Sequence, residues 1–167
     1  MKQAPYNPID VANYIVWRAN ELGKPVTHLK LQKLLYYVVA KYLKQTNRPL
    51  ISESVSKWQF GPVVKSVYHQ FKLYGQSLIT EPSAYLISND IFNLEFVKTD
   101  VENATLDKDQ VFRQSVTFVL DKLLNCSPFE LVDRTHQEPA WKDFELEILR
   151  AKEDLYYTDD ELRVANI

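Results

Sequence analysis

Between Leu29 and Gly75 the chain reads LKLQKLLYYVVAKYLKQTNRPLISESVSKWQFGPVVKSVYHQFKLYG. A lysine- and tyrosine-rich stretch with helical periodicity runs into a Trp-x-Phe-Gly-Pro-Val turn, and nothing else in the sequence limits the fold as tightly. Thr27 is a suitable N-cap, and Val26 with Leu31 has the spacing of a hydrophobic staple, which fixes the angle at which the chain enters the helix. Leu31, Leu35, Val38 and Tyr42 recur on one face, while Lys30, Lys33, Tyr37, Lys41 and Lys44 form a stripe on another. Pro49 is expected to stop this helix. Segment 51–60 alternates through Ser54, Ser56, Trp58 and Phe60, the pattern of a short strand or ribbon. Gly61-Pro62 is then expected to open another helix, because proline's fixed φ suits a first helical turn. Val64, Val67, Tyr68 and Phe71 supply its apolar face and Gly75 its stop.

The flanking regions are also mostly helical in pattern. Asn7 before Pro8 predicts an N-cap and a first helical position, with Val11, Ile15, Ala19 and Leu22 on the inner face and Gly23 as terminator. Asp107 with Gln110 resembles a capping box ahead of VFRQSVTFVLDKLL. Ser127-Pro128-Phe129-Glu130 combines a cap, an N1 proline and an N3 glutamate, and the helix it opens should finish near His136. Pro139 is expected to start a helix carrying Trp141, Phe144, Ile148 and Leu149, and Thr158 with Glu161 makes a last capping box. Residues 76–106 read as connecting structure in which EFVKTDV could pair as a strand with 51–60. The expected fold is therefore mainly α (α+β), a compact multi-helix domain with a small β-ribbon or short sheet around residues 51–60 and 95–101. Residues 1–167 read as a single domain, without internal repeat or linker.

With 46% apolar and 25% charged residues the chain has ordinary globular composition, and three glycines fit a helix-dominated fold. No apolar run approaches the ~18 residues of a transmembrane helix, and MKQAPYNPID has no signal-peptide apolar core. A lone Cys126 cannot form an internal disulfide, so a cytoplasmic protein is expected. The net charge of −2 hides an asymmetry: residues 1–75 hold 11 Lys and Arg against 3 Asp and Glu, whereas the remainder holds 9 against 19. Such a split can steer a charged partner or draw two halves of one domain together.

Groups able to do chemistry are few. His28, His69 and His136 are too scattered for a local metal motif, and one cysteine gives no zinc-ribbon spacing. Gly23, Gly61 and Gly75 lie too far apart for a phosphate loop. Cys126 with His136 as base is the one nucleophile pair to weigh, and nothing points to a depressed thiol pKa. No cofactor, no metal and no catalytic residue are expected. The lysine stripe around Tyr37 has the charge for nucleic acid, but a sequence pI of about 5.9 and the lack of arginine in it favour a solvated or protein-facing surface. Tyr36, Trp58, Tyr68 and Trp141 can pack a core or anchor a partner protein.

Three blocks in order, LKLQKLLYYVVAKYL, KWQFGPVVKSVY and LVDRTHQEPAWKD, resemble the Panacea domain family, also called SocA-like. The shared pattern falls on Lys33, Leu34, Tyr36, Trp58, Gly61, Pro62, Val63, Thr135, His136, Pro139 and Trp141, and the likeness spans about residues 9–150. The resemblance implies the antitoxin of a bacterial or phage toxin–antitoxin pair, binding a cognate toxin protein directly. Its alternatives are an adaptor that brings a partner to an ATP-dependent protease and a DNA-binding regulator. No membrane partner is expected, and self-association is open. Lys33, Tyr36, Trp58, Gly61, Pro62, His136 and Trp141 are the expected scaffold of the partner-binding face. Tyr36 and His136 should lie near the Trp58-Gly61-Pro62 turn and form one connected unit with Trp141.

Overall fold

The computed structural model describes residues 3–81, 86–90, 93–96 and 99–167. In chain order, with two-residue β1 and β4 included, the elements are α1 (Pro8–Glu21), β1 (Val26–Thr27), α2 (His28–Thr46), β2 (Ser56–Trp58), β3 (Gly61–Val63), α3 (Lys65–Phe71), β4 (Leu78–Ile79), β5 (Leu86–Asp90), β6 (Asn93–Phe96), α4 (Thr99–Leu106), α5 (Gln110–Leu123), α6 (Pro128–His136), α7 (Pro139–Lys142), α8 (Glu145–Leu149) and α9 (Asp159–Arg163). A 3-10 turn, Lys72–Tyr74, extends α3 to Gly75. The architecture is mainly α with small two-stranded antiparallel ribbons, β1 with β4, β2 with β3, and β5 with β6.

Everything is arranged around α2. It packs against α1, α3, α5, α6, α9 and both β1 and β3. Twelve of its nineteen residues are buried, so it is a central helix wrapped on most sides rather than one with a single inner face. Thr27 caps it, its hydroxyl accepting from the Lys30 N–H at 3.3 Å. The staple residues Val26 and Leu31 are both buried. The helix ends before Pro49, at Asn47 in the left-handed conformation (φ 55°), whose N–H returns to the Leu43 carbonyl.

Burial divides the lysine stripe expected as a solvated or protein-facing surface: Lys30 and Lys41 are half-buried and Lys44 is exposed, whereas two members are enclosed. Lys33 and Tyr37 have no exposure. Lys30 donates to the Leu124 carbonyl, Lys41 stands 3.8 Å over the Phe118 ring, and Lys44 donates to Ala165 and Ile167 carbonyls. These ammonium groups tie α2 to the ends of later elements.

Several boundaries also differ. Gly61-Pro62 does not open a helix: Gly61–Val63 is a strand in register with Ser56–Trp58, and α3 begins only at Lys65. Register places Trp58 opposite Gly61, leaving Gln59 and Phe60 as a two-residue loop. The partner of 56–58 is thus Gly61–Val63, just across that loop. Of the segment EFVKTDV expected to reach across to 51–60, Glu95 and Phe96 pair with Ile87 and Leu86 instead and Thr99–Val101 begin α4; residues 97–98 lie outside the described residues. The cap of α5 is Asp109, which accepts from Phe112 N–H at 3.0 Å, while Asp107 accepts from the Tyr14 hydroxyl at 2.5 Å. Leu22, expected on the inner face of α1, is 50% exposed because the helix has already ended. The Pro139 helix is broken into α7 and α8, which bury Trp141 and Ile148 but leave Leu149 outside. Among the described residues no helix is long and apolar enough to cross a membrane.

Candidate functional site

The β2–β3 hairpin is held from three directions. From beneath, Lys33 of α2 donates to the Pro62 carbonyl at 2.9 Å. Beside it, the Gln32 side chain acts as a ladder neighbour to Val64, accepting from its N–H at 2.9 Å and donating to its carbonyl at 3.3 Å. From α7, the Trp141 indole N–H donates to the Trp58 carbonyl at 2.8 Å. The other edge of β2 is closed by the segment after α8, where Lys57 N–H donates to Leu155 and Tyr157 N–H donates to Val55, each at 2.8 Å. A short ribbon that would be marginal alone is thereby fixed to helices from both ends of the chain.

Gly61 has a structural reason. Its φ is +95°, and a Cβ there would stand 2.5 Å from Thr135 Oγ1 and 3.1 Å from Lys33 Cε. Only glycine fits both the backbone conformation and the space. The Thr135 hydroxyl is itself fixed, donating to the Val132 carbonyl at 2.8 Å. His136, the next residue, stacks on Trp141 with ring centroids 3.6 Å apart and planes 16° from parallel. Its imidazole also hydrogen-bonds the Gln59 backbone in the hairpin loop.

Tyr36 enters this network through Glu138, which sequence reasoning missed. The Tyr36 hydroxyl donates to one Glu138 carboxylate oxygen at 2.6 Å and the Tyr37 hydroxyl to the other at 3.0 Å. Asn166 N–H adds a third bond at 3.2 Å. Glu138 immediately precedes Pro139 in the Thr-His-Gln-Glu-Pro block, a place where a carboxylate ordinarily reads as a solvated cap. Its burial becomes visible only once α2 and α6 are packed together. All seven expected positions therefore fall in one bonded region: Lys33, Gly61 and Pro62 at the hairpin base, Trp58, His136 and Trp141 around its carbonyls, and Tyr36 one residue away through Glu138.

The electrostatics are those of a dry, interlocked framework. Burial lowers the Lys33 amine to about 7, with one carbonyl as its hydrogen-bond partner. Burial, reinforced by Glu138, pushes the Tyr36 and Tyr37 hydroxyls far above the ordinary tyrosine range. His136 is lowered, first by burial and then by Lys33, against the Gln59 backbone bond that favours its protonated form. Cys126 is half-buried and packs against the core after α5. Among the described residues no group of three or more His, Cys, Asp or Glu could hold a metal ion. The network positions a hairpin; most of its polar atoms are engaged with one another, while His136 Nε2, Ser56 Oγ and the Tyr157 hydroxyl are buried without a hydrogen-bond partner.

Phe60 at the hairpin tip is 52% exposed, and Tyr68 of α3 packs edge-on against Trp58 with centroids 5.0 Å apart. Phe60 was read only as part of a strand alternation, yet it is the aromatic that the framework presents outward.

A family model described as Antitoxin SocA-like, Panacea domain, matches residues 31–142, which contain every one of the seven positions. The Antitoxin SocA of Caulobacter vibrioides (strain NA1000 / CB15N) is 39% identical over 69 residues, covering 41% of this chain and 37% of that protein. The matched stretch thus spans little more than a third of that relative. No solved structure matches the chain.

Proposed function

Since the chain belongs to the Antitoxin SocA-like, Panacea domain family, we propose that it is an antitoxin that neutralises a cognate toxin protein by direct contact, with the β2–β3 hairpin as part of the contact face. The observation that carries this reading is the coincidence of the family match with the hairpin framework. Lys33, Tyr36, Trp58, Gly61, Pro62, His136 and Trp141 all lie inside the matched range; Trp58, Gly61 and Pro62 belong to the ribbon, Lys33, His136 and Trp141 bond to it, Tyr36 joins through Glu138, and the ribbon's tip holds an aromatic in solvent. Exposed aromatics on a rigid element suit protein recognition, where a few such anchors carry most of the binding energy. The engaged state of Lys33 and the stacking of His136 favour binding over chemistry.

The test is growth rescue. A toxic small protein encoded beside this chain is expressed from one plasmid and the chain from another. Restored growth, with the two proteins co-purifying, is the expected result. Failure of the chain to restore growth or to retain the toxin on a column would remove the antitoxin reading.

A further inference from the structure

The hairpin loop has one tie whose strength depends on a proton. His136, in the last turn of α6, lies with its ring flat on Trp141, centroids 3.6 Å apart and planes 16° from parallel. Its imidazole also hydrogen-bonds the Gln59 backbone in the loop, a bond that favours the protonated ring and is therefore donated to a carbonyl. A neutral imidazole has one N–H to give, and this bond uses it. Nε2 of the same ring is buried without a hydrogen-bond partner. An unpaired acceptor there is a modest cost, whereas a charged N–H with nothing to donate to is a large one.

The charged groups around the ring come from three helices. Lys33 of α2, which donates to the Pro62 carbonyl beneath the same hairpin at 2.9 Å, opposes a charge on His136, while Asp133 of α6 and Glu145 of α8 favour one. Both carboxylates are exposed, and among the described residues neither forms an ion pair with the ring. Burial outweighs them and holds the imidazole below its ordinary range. The unfolded chain thus takes up this proton at a higher pH than the fold does, so the stacked arrangement loses stability as pH falls through the histidine range. Lys33 is already charged by then, since its own titration lies at about 7, and acidification places two cations against one short ribbon.

Resting on the reading of the hairpin as part of the contact face, we infer that His136 is a pH-sensitive latch for that face: the neutral ring fastens the loop to the α6–α7 junction, and a second proton on the ring releases it. The residue is half-buried, so rotation of the ring carries Nε2 to water while breaking the stack and the Gln59 bond. Release also uncovers the Trp141 indole, whose N–H holds the Trp58 carbonyl at 2.8 Å. The bonds of Lys33 to Pro62 and of Gln32 to Val64 remain. The base of the ribbon stays docked, and the loop carrying Phe60 is what acid frees.

Hydrogen exchange of the full chain, read by mass spectrometry between about pH 7.5 and about pH 5, tests this. A peptide spanning residues 56–64 should exchange roughly tenfold or more faster at the acid end after correction for intrinsic pH dependence, while peptides from α2 and α5 keep their protection. His136→Gln and His136→Phe both remove the titrating group, and the second keeps a ring over Trp141. Each folded variant should show the same hairpin protection across the range, whatever its level. His28→Gln and His69→Gln should leave the acid transition in place. Lys33→Met removes a like charge and should move the transition to higher pH without abolishing it. A wild-type hairpin equally protected at both ends, a transition that persists in either folded His136 variant, or one that Lys33→Met abolishes would each overturn the inference. None of these readouts needs a toxin, so they fail separately from growth rescue. A chain that rescues growth with a pH-independent hairpin keeps its antitoxin role and loses the latch; one whose hairpin opens through His136 yet rescues nothing keeps the latch and loses the antitoxin role.

Discussion

At Lys33 a side chain that is strongly hydrated in water sits at zero exposure with one backbone carbonyl for a partner. Its amine is lowered from 10.5 to about 7 in the fold. The sign of the linkage follows. Between these two values the unfolded chain holds a proton that the folded chain lacks, so stability rises with pH across this window. Below about 7 both states are charged and the contribution is flat at its least favourable level. Above roughly pH 10 the buried tyrosines reverse the trend, since their hydroxyls stay protonated in the fold but ionise in the unfolded chain. Urea denaturation should therefore show stability increasing toward pH 9 with a slope of at most about 1.4 kcal/mol per unit. In Lys33→Met that increase should be largely absent; parallel profiles for the two proteins would show that Lys33 is not the source. Gly61 offers a second residue-scale prediction. Gly61→Ala combines a left-handed φ with a 2.5 Å approach to Thr135 Oγ1, and should destabilise by about 2–4 kcal/mol. Adding Thr135→Ala should relieve only the steric part, because the backbone conformation is unchanged. A measured loss under ~0.5 kcal/mol for Gly61→Ala would mean that the turn can relax.

Among the elements, those whose causes are local were the legible ones. The Asn7-Pro8 start, the Thr27 cap and the capping boxes at Ser127–Glu130 and Thr158–Glu161 are all present, since each is decided within four residues. Gly61-Pro62 was misread because the same dipeptide satisfies a helix start and a ribbon. The choice between them is made by Lys33, Gln32 and Trp141, which sit 29, 32 and 83 residues away from their hairpin partners. The β-ribbon near 51–60 is visible in the sequence, but its partner is Gly61–Val63, across a two-residue loop, and not the distant segment expected. Of the candidate site, the residue types were readable and their joining was not. Glu138 is the link that no spacing revealed, and it couples α2 to the α6–α7 junction. Replacing it tests that coupling. Glu138→Leu orphans two buried hydroxyl donors and should cost about 2–4 kcal/mol, whereas Glu138→Gln keeps an acceptor oxygen and should cost less. Chemical denaturation of the two variants decides the matter: equal losses would mean that shape alone, not hydrogen bonding, holds this junction.

For the molecule as a whole, the basic first half is tied to the acidic second half by lysine contacts, one of them an ion pair and the others to backbone carbonyls. Cations of the first half reach the second: Lys30 to Leu124, Lys44 to Ala165 and Ile167, and Lys57 to Glu161. Lys57 is the strongest instance. It is 4% exposed, its ammonium lies 3.5 Å over the Phe144 ring and 5.2 Å from that of Tyr157, and the Glu161 carboxylate, its ion-pair partner among the described residues, stands at 2.6 Å. Aromatic faces attract a cation, but they do not replace an opposite charge in a site that water cannot fill. Glu161→Gln preserves shape and leaves the Thr158 cap an acceptor oxygen while removing that charge. It should destabilise by about 2–3 kcal/mol, below the range for a fully buried pair because the Glu161 side chain retains 21% exposure. Lys57→Met in the same background should restore part of the loss by removing the uncompensated ammonium, so the double variant should be more stable than Glu161→Gln alone. Added salt should change the wild-type value little, since screening acts mainly on exposed charges. A double variant that simply sums two independent losses would show that the halves are joined by packing, with the ion pair contributing nothing of its own.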